Sequence, residues 1–111
     1  MNFGLSEITC ATIRRILERY SNVEKAVLYG SRAKGNYKNG SDIDLTLIGD
    51  ALGHQTLSDI AGELDESFIP YTVDLSLYAE LNHAELRDHI DRVGVVFYER
   101  GSAGQDQGVA K

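Results

Sequence analysis

The chain has 111 residues, of which 42% are hydrophobic and 25% charged. This is ordinary for one globular domain and leaves no room for a second. Its formal net charge of -6 disfavours long nucleic-acid partners, because affinity for that backbone comes from Lys and Arg. No apolar run approaches the ~20 residues that cross a bilayer, and the first residues lack a signal-peptide pattern. We therefore expect a cytoplasmic protein with no membrane partner.

The first element in chain order is an amphipathic helix over residues 5–20, with Ser6 as its N-cap. Apolar residues at helical spacing predict its buried face: Ile13, Ile16, Leu17 and Tyr20. Cys10 is the single cysteine, and its place in this pattern predicts a small buried or half-buried residue rather than a reactive thiol. Residues 25–29 follow as a short apolar strand that ends at a glycine.

A basic loop comes next, in a chain that is acidic overall. It begins with Gly30 and Ser31, whose backbone amides suit phosphate oxygens if a helical turn starts at Ser31. Arg32, Lys34 and Lys38 make this stretch the one place that favours a small anion. For Arg32 and Lys34 two interpretations stay open, a phosphate or partner contact and a plain solvated surface charge.

Two later strands alternate strictly between polar and apolar residues. Residues 42–47 place Asp42 and Asp44 on one side and the apolar residues on the other. Residues 71–77, which start after Pro70, repeat the pattern with Asp74 on the polar side. If the two strands are neighbours, three carboxylates share one face.

The remaining elements complete an α/β (α+β) domain over residues 1–100. We expect helices over residues 56–64 and 82–93, the second capped by Asn82, and a final strand over residues 95–98. The sheet is then a small mixed one of about four strands with helices packed on it. Residues 101–111 are rich in small and polar residues, which predicts a disordered C-terminal tail.

Clustered carboxylates on an otherwise apolar sheet call for cations, since like charges at close range raise one another's pKa. Aspartates two residues apart on a strand suit hard, oxygen-liganded ions such as Mg²⁺. A third carboxylate on the next strand would complete a cradle for two Mg²⁺ ions roughly 3.5–4 Å apart. The three histidines, His54, His83 and His89, lack metal-ligand spacing and favour surface or capping roles.

The spaced motif resembles the signature of a known superfamily. Gly30-Ser31, ten intervening residues and Asp42-Ile43-Asp44, with Asp74 on a later strand, are similar to the DNA polymerase β-like nucleotidyltransferases. The Gly-Ser-Arg-Ala-Lys-Gly form of the turn resembles the minimal nucleotidyltransferase branch (MNT, MntA-type). The resemblance runs over about residues 5 to 98.

Carried over to this sequence, the resemblance implies a polymerase β-like fold and an enzyme that uses ATP and two Mg²⁺ ions. Asp42 and Asp44 would bind both metals, and Asp74 would bind the catalytic metal and help to deprotonate the attacking hydroxyl. Gly30 and Ser31 would hold the triphosphate. Larger relatives carry a helical domain that grips base and acceptor, so here another molecule would have to supply that contact.

In the MNT branch that molecule is typically a HEPN-domain protein encoded nearby. The resemblance implies a toxin–antitoxin pair forming a hetero-oligomer, in which the antitoxin transfers AMP from ATP to a tyrosine of the HEPN ribonuclease. The alternative is a non-catalytic nucleotide-binding antitoxin that neutralises its partner by complex formation. Transfer to a small molecule, as in aminoglycoside nucleotidyltransferases, is disfavoured because such an acceptor needs a pocket of its own.

Overall fold

The computed structural model describes residues 3–38 and 40–101. Four helices and four strands alternate along them: α1 (Glu7–Glu18), β1 (Lys25–Tyr29), α2 (Ser31–Lys34), β2 (Ile43–Ile48), α3 (His54–Glu66), β3 (Val73–Leu77), α4 (Ala84–Val93) and β4 (Val95–Glu99). A short 3-10 turn, Tyr78–Glu80, leads from β3 towards α4. The expected tail lies outside the described residues, apart from Gly101.

The sheet has the order β3-β2-β1-β4. Strand β1 pairs antiparallel with β2 on one side and with β4 on the other, whereas β2 and β3 run parallel. A parallel pair needs a crossover, and α3 supplies it. The predicted mixed sheet of about four strands with helices packed on it is therefore confirmed.

One face of this sheet forms the core with α1 and α3. Alternate residues of the strands are buried there together with the apolar stripes of the two helices: Ala26, Leu28, Ile43, Leu45, Leu47, Ile13, Ile16, Leu17, Ile60 and Leu64. The opposite face carries the polar residues of β2 and β3. Strict alternation along β2 thus separates the core from the polar face on which the aspartates stand.

The local signals at α1 act as predicted. The Ser6 hydroxyl accepts a hydrogen bond from the Thr9 amide at 3.1 Å, which caps the helix. Cys10 is buried, and burial raises the pKa of its thiol. Its predicted structural role is in keeping with this environment, since a buried thiol forms little thiolate.

The start of α4 differs from the sequence expectation. The helix begins at Ala84, and His83 rather than Asn82 occupies the N-cap position, without a side-chain capping bond. Leu81 still has an extended backbone after the 3-10 turn, as does His83, so the N-cap lies one residue later than predicted. The first helical hydrogen bond runs from the Arg87 amide to the His83 carbonyl.

Within the described ranges, no helix is long and apolar enough to cross a membrane.

Candidate active site

Two of the predicted aspartates are direct neighbours across the parallel strands. Asp44 of β2 is the register partner of Asp74 of β3. Adjacent strands lie ~4.8 Å apart and both side chains stand on the polar face, so the carboxylates are next to each other. Asp42 comes two residues before Asp44 and shares its side of the strand. The sequence predicted this grouping only on the condition that the two strands were neighbours, and they are.

The three carboxylates affect one another electrostatically. The pKa of Asp44 is raised, first because the group is partly buried and then because Asp74 and Asp42 are close. Asp42 and Asp74 are themselves exposed. Asp44 is therefore the inner member of the cluster, where a nearby cation would offset the most repulsion.

Gly30 brings the turn after β1 against this cluster. Its backbone has φ +80° and ψ -155°, a conformation essentially restricted to glycine. A Cβ atom at this position would lie 2.5 Å from Oδ2 of Asp44. Only glycine allows the chain to pass so close to the carboxylate, and α2 begins immediately afterwards at Ser31, as the phosphate-binding interpretation requires.

Helix α2 leaves its first backbone amides free of helical acceptors. The first intrahelical bonds are donated by the Lys34 amide to Gly30 and by the Gly35 amide to Ser31. The amides of residues 31–33 precede them and belong to the unsatisfied first turn of a helix. These groups, together with the Ser31 hydroxyl, are the donors that the turn offers beside the carboxylates.

Arg32 is buried, which excludes one of the two interpretations that the sequence left open. The side chain is 2% exposed, so the interpretation as a solvated surface charge is wrong. Its guanidinium donates from Nε and Nη2 to the Ser41 carbonyl at 3.1 and 2.9 Å, and from Nη1 to the Phe3 carbonyl at 2.8 Å. Three of its five N–H groups are therefore taken up by the chain itself. Lys34 is exposed, and its phosphate or partner contact stays a prediction.

Tyr29 is a further neighbour of the site. It is the register partner of Asp44 on β1 and is half-buried. Burial raises the pKa of its hydroxyl, and the nearby Asp44 and Asp74 raise it further. The Tyr29 side chain therefore lies near Asp44 and Asp74.

His89 of α4 contacts the ring of Tyr29 and is not at a helix cap. The rings of Tyr29 and His89 meet edge to face, with their centroids 6.4 Å apart and an interplanar angle of 80°. Of the expected surface or capping roles, the capping role is excluded for His89, and its side chain is half-buried rather than fully exposed. The sequence spacing indicates this partly buried position, because His89 lies three residues after Leu86 and four before Val93, on the apolar side of α4.

No three His, Cys, Asp or Glu side chains are already arranged around a metal position in the part of the chain that the structure describes. What the site provides is a set of neighbouring carboxylate oxygens, which are ligands of the hard type that Mg²⁺ takes. The predicted pair of Mg²⁺ ions therefore stays a prediction.

The sequence matches the family described as "Polymerase beta, Nucleotidyltransferase" over residues 11–103. Comparison with curated protein sequences found no match.

Solved structures share the fold at low sequence identity. A toxin–antitoxin complex with AMP-PNP has a chain 20% identical to this one, with a TM-score of 0.64, covering 95% of this chain and 82% of that one. The tri-AMPylated Shewanella oneidensis HEPN toxin in complex with its MNT antitoxin gives 17% identity, a TM-score of 0.62 and coverage of 89% and 76%. A nucleotidyltransferase described as putative, from Sulfolobus solfataricus, is 26% identical, with a TM-score of 0.51 and coverage of 85% and 79%.

Proposed function

Because the chain belongs to the polymerase β nucleotidyltransferase family, we propose that it transfers AMP from ATP to a hydroxyl group of a partner protein, in a reaction that depends on Mg²⁺. The observation that carries this proposal is the pairing of Asp44 with Asp74 directly beside the Gly30 turn. This arrangement supports the proposal, because the carboxylates would hold the metals and the amides of the adjacent turn would hold the phosphates.

The donor set fits Mg²⁺. Asp42, Asp44 and Asp74 offer only carboxylate oxygens. The pKa of Asp44 is raised by burial and then by repulsion from Asp74 and Asp42, and a divalent cation would offset that repulsion. These three residues would hold the metal. When bound, it supplies neutralisation of the triphosphate charge and a lowered pKa for the acceptor hydroxyl.

The chain's own groups then position the reactants. Gly30 and Ser31 hold the phosphates, so that the acceptor oxygen approaches the α-phosphorus in line with the leaving group. A bond forms between that oxygen and the α-phosphorus, and the bond from the α-phosphorus to the bridging oxygen breaks, releasing pyrophosphate. Asp74, which is exposed, is our candidate to receive the hydroxyl proton, because an acceptor can reach it.

We assign the acceptor to a HEPN-domain protein encoded nearby, with this chain as the antitoxin of the pair. Support comes from the structural neighbours, whose complexes are described as toxin–antitoxin pairs, one with AMP-PNP and one with a tri-AMPylated HEPN toxin. A tyrosine is the proposed acceptor side chain.

The test is transfer of label from α-labelled ATP to the purified partner protein in the presence of Mg²⁺. Wild type should label the partner, and Asp44→Asn should not. Asp65→Asn serves as the matched control, since Asp65 is an exposed aspartate on α3, outside the carboxylate cluster. Equal labelling by wild type and Asp44→Asn would reject the proposal.

The same variants separate catalysis from neutralisation by complex formation. If AMP transfer silences the partner, Asp44→Asn should lose protection against it in cells while still binding it in pull-down experiments. Protection that survives in Asp44→Asn would instead support the non-catalytic antitoxin.

A further inference from the structure

Arg32 is the most completely enclosed charged side chain near the site. Besides its three hydrogen bonds to carbonyl oxygens, the guanidinium lies between two aromatic rings, 5.0 Å from the centroid of Tyr37 and 4.9 Å from that of Tyr71. Among the described residues it forms no ion pair. A buried charge is costly unless it is compensated, and here carbonyl oxygens and ring faces provide the compensation.

The contacts of Arg32 reach the segments that carry the site. Ser41, whose carbonyl accepts two of its bonds, directly precedes Asp42. Tyr71 lies three residues before Asp74. Arg32 itself stands in α2, two residues after Gly30. One side chain thus connects the phosphate-binding turn with the starts of both aspartate-bearing strands.

The Ser41 end of the loop is fixed from two sides. The Ser41 hydroxyl accepts a hydrogen bond from the Lys38 amide at 2.9 Å, and its own amide donates to the Lys38 carbonyl at 3.0 Å. These bonds close a local turn but do not attach it to the rest of the domain. The two bonds from Arg32 attach the residue before Asp42 to α2, whereas on the other side of Asp42 the Ile43 amide donates to the Thr72 carbonyl at 2.9 Å.

We propose that Arg32 is a positioning residue: it holds the Ser41 carbonyl, and through it Asp42, at the distance from the Gly30–Ser31 turn that a metal-bound nucleotide needs. Its role is structural support for a metal-binding carboxylate rather than a direct contact with phosphate. The proposal rests on the proposed function in one respect, namely that Asp42 is a metal ligand.

Arg32→Lys is the informative variant, because it keeps the charge but loses the planar fork that bonds Ser41 and Phe3 at the same time. Arg100→Lys is its matched control. Arg100 also donates to backbone carbonyls, from Nε to Val23 and from Nη2 to Glu18 and Tyr20, and it lies away from the carboxylate cluster. Both variants remove the same kind of contact, and only Arg32 lies beside the site.

Two binding measurements distinguish support from direct contact. The first is the dissociation constant of Mn²⁺ with AMP-PNP present, measured by electron paramagnetic resonance. The second is the affinity for ATP in the presence of EDTA, which removes the metal, so that binding depends on direct contacts between the protein and the phosphates. Loss of a residue that supports a metal ligand typically weakens metal binding by roughly 10- to 100-fold. We expect a loss of this size for Arg32→Lys, with ATP affinity in EDTA unchanged and with both values unchanged for Arg100→Lys.

A fall in ATP affinity in EDTA with Mn²⁺ binding unchanged would make Arg32 a phosphate ligand and overturn the proposal. No change in either affinity would also overturn it. If Arg32→Lys does not fold, Tyr71→Leu decides instead. It removes one ring but keeps the hydrogen bonds, and should weaken Mn²⁺ binding by a smaller factor; unchanged Mn²⁺ binding would again overturn the proposal.

Failure of the proposed function would look different. Wild type would then bind Mn²⁺ and respond to Arg32→Lys as expected, yet transfer no AMP to the partner.

Discussion

Replacing Gly30 by alanine tests whether the close approach of the turn to Asp44 matters for function. The added Cβ would lie 2.5 Å from Oδ2 of Asp44, and the backbone conformation at Gly30 is one that alanine rarely adopts. The Asp44 carboxylate is the end of a rotatable side chain, so it can move aside. The variant should therefore fold with a displaced Asp44.

The expected effect of Gly30→Ala has two parts, a loss of stability and a loss of activity. Backbone strain at such a conformation costs about 1–3 kcal/mol, and at about 4–8 °C per kcal/mol for a small domain Tm should fall by roughly 4–24 °C. Displacement of a catalytic group by ~1 Å can cost about 100-fold in rate. We expect AMP transfer by Gly30→Ala to fall by at least this factor.

Gly35→Ala is the control, because it introduces strain without a clash. Gly35 has φ +88° and ψ 4°, and a Cβ added there meets nothing within 4 Å. A left-handed alanine costs about 1–2 kcal/mol, so the loss of Tm overlaps with that of Gly30→Ala. Transfer by Gly35→Ala should stay within a few-fold of wild type.

The assay compares kcat/KM for AMP transfer with Tm for both variants. Activity should depend on which glycine is changed, not on how much stability is lost. Equal loss of activity in the two variants, or near-normal transfer by Gly30→Ala, would refute this prediction.

Three further predictions concern stability. The folded-state pKa of Asp44 is raised, so its ionised form destabilises the metal-free protein increasingly as the pH rises through that pKa. Asp44→Asn should therefore raise Tm in EDTA at about pH 7 and change it little near pH 3. A lower Tm of this variant at neutral pH would contradict the prediction. Glu63 accepts hydrogen bonds from Tyr20 and Arg19, which lower its pKa. Its contribution is present above the unfolded-state pKa and disappears as the pH falls through the lowered one, so Glu63→Gln should reduce Tm at neutral pH but not in acid; a difference independent of pH would count against it. Leu45 is fully buried, and Leu45→Ala should lower the free energy of unfolding, measured with urea, by about 2–5 kcal/mol. A loss well below this range would mean that neighbouring side chains fill the cavity.

Local patterns predicted most of the fold. The Ser6 cap, the stripe of Ile13, Ile16 and Leu17 on α1 and the burial of Ile43, Leu45 and Leu47 on β2 each depend on neighbours within a few residues, and the structure has all three. Tyr20 lies beyond the end of α1, and Thr46 is buried although it belongs to the polar side of β2. The placement of Asp44 beside Asp74 needed one further fact, the parallel pairing of β2 with β3, which the sequence offered only as a condition.

Arg32 shows what local patterns could not supply. An arginine in a polar, glycine-rich loop is most simply interpreted as exposed. Its burial depends on Phe3, Ser41 and Tyr71, which only the folded chain brings around it. The contact between Tyr29 and His89 likewise depends on the folded chain, since it joins residues 60 positions apart.

The most direct test of the proposed site is to locate the metal. Mn²⁺ added with AMP-PNP should broaden the amide NMR signals of residues near the ion and leave distant ones sharp. Our account predicts broadening centred on Asp42, Asp44 and Asp74, extending to Gly30 and Ser31, and its loss in Asp44→Asn. Broadening centred elsewhere, for instance at the exposed pair of His54 and Glu80, or broadening that survives in Asp44→Asn, would contradict it.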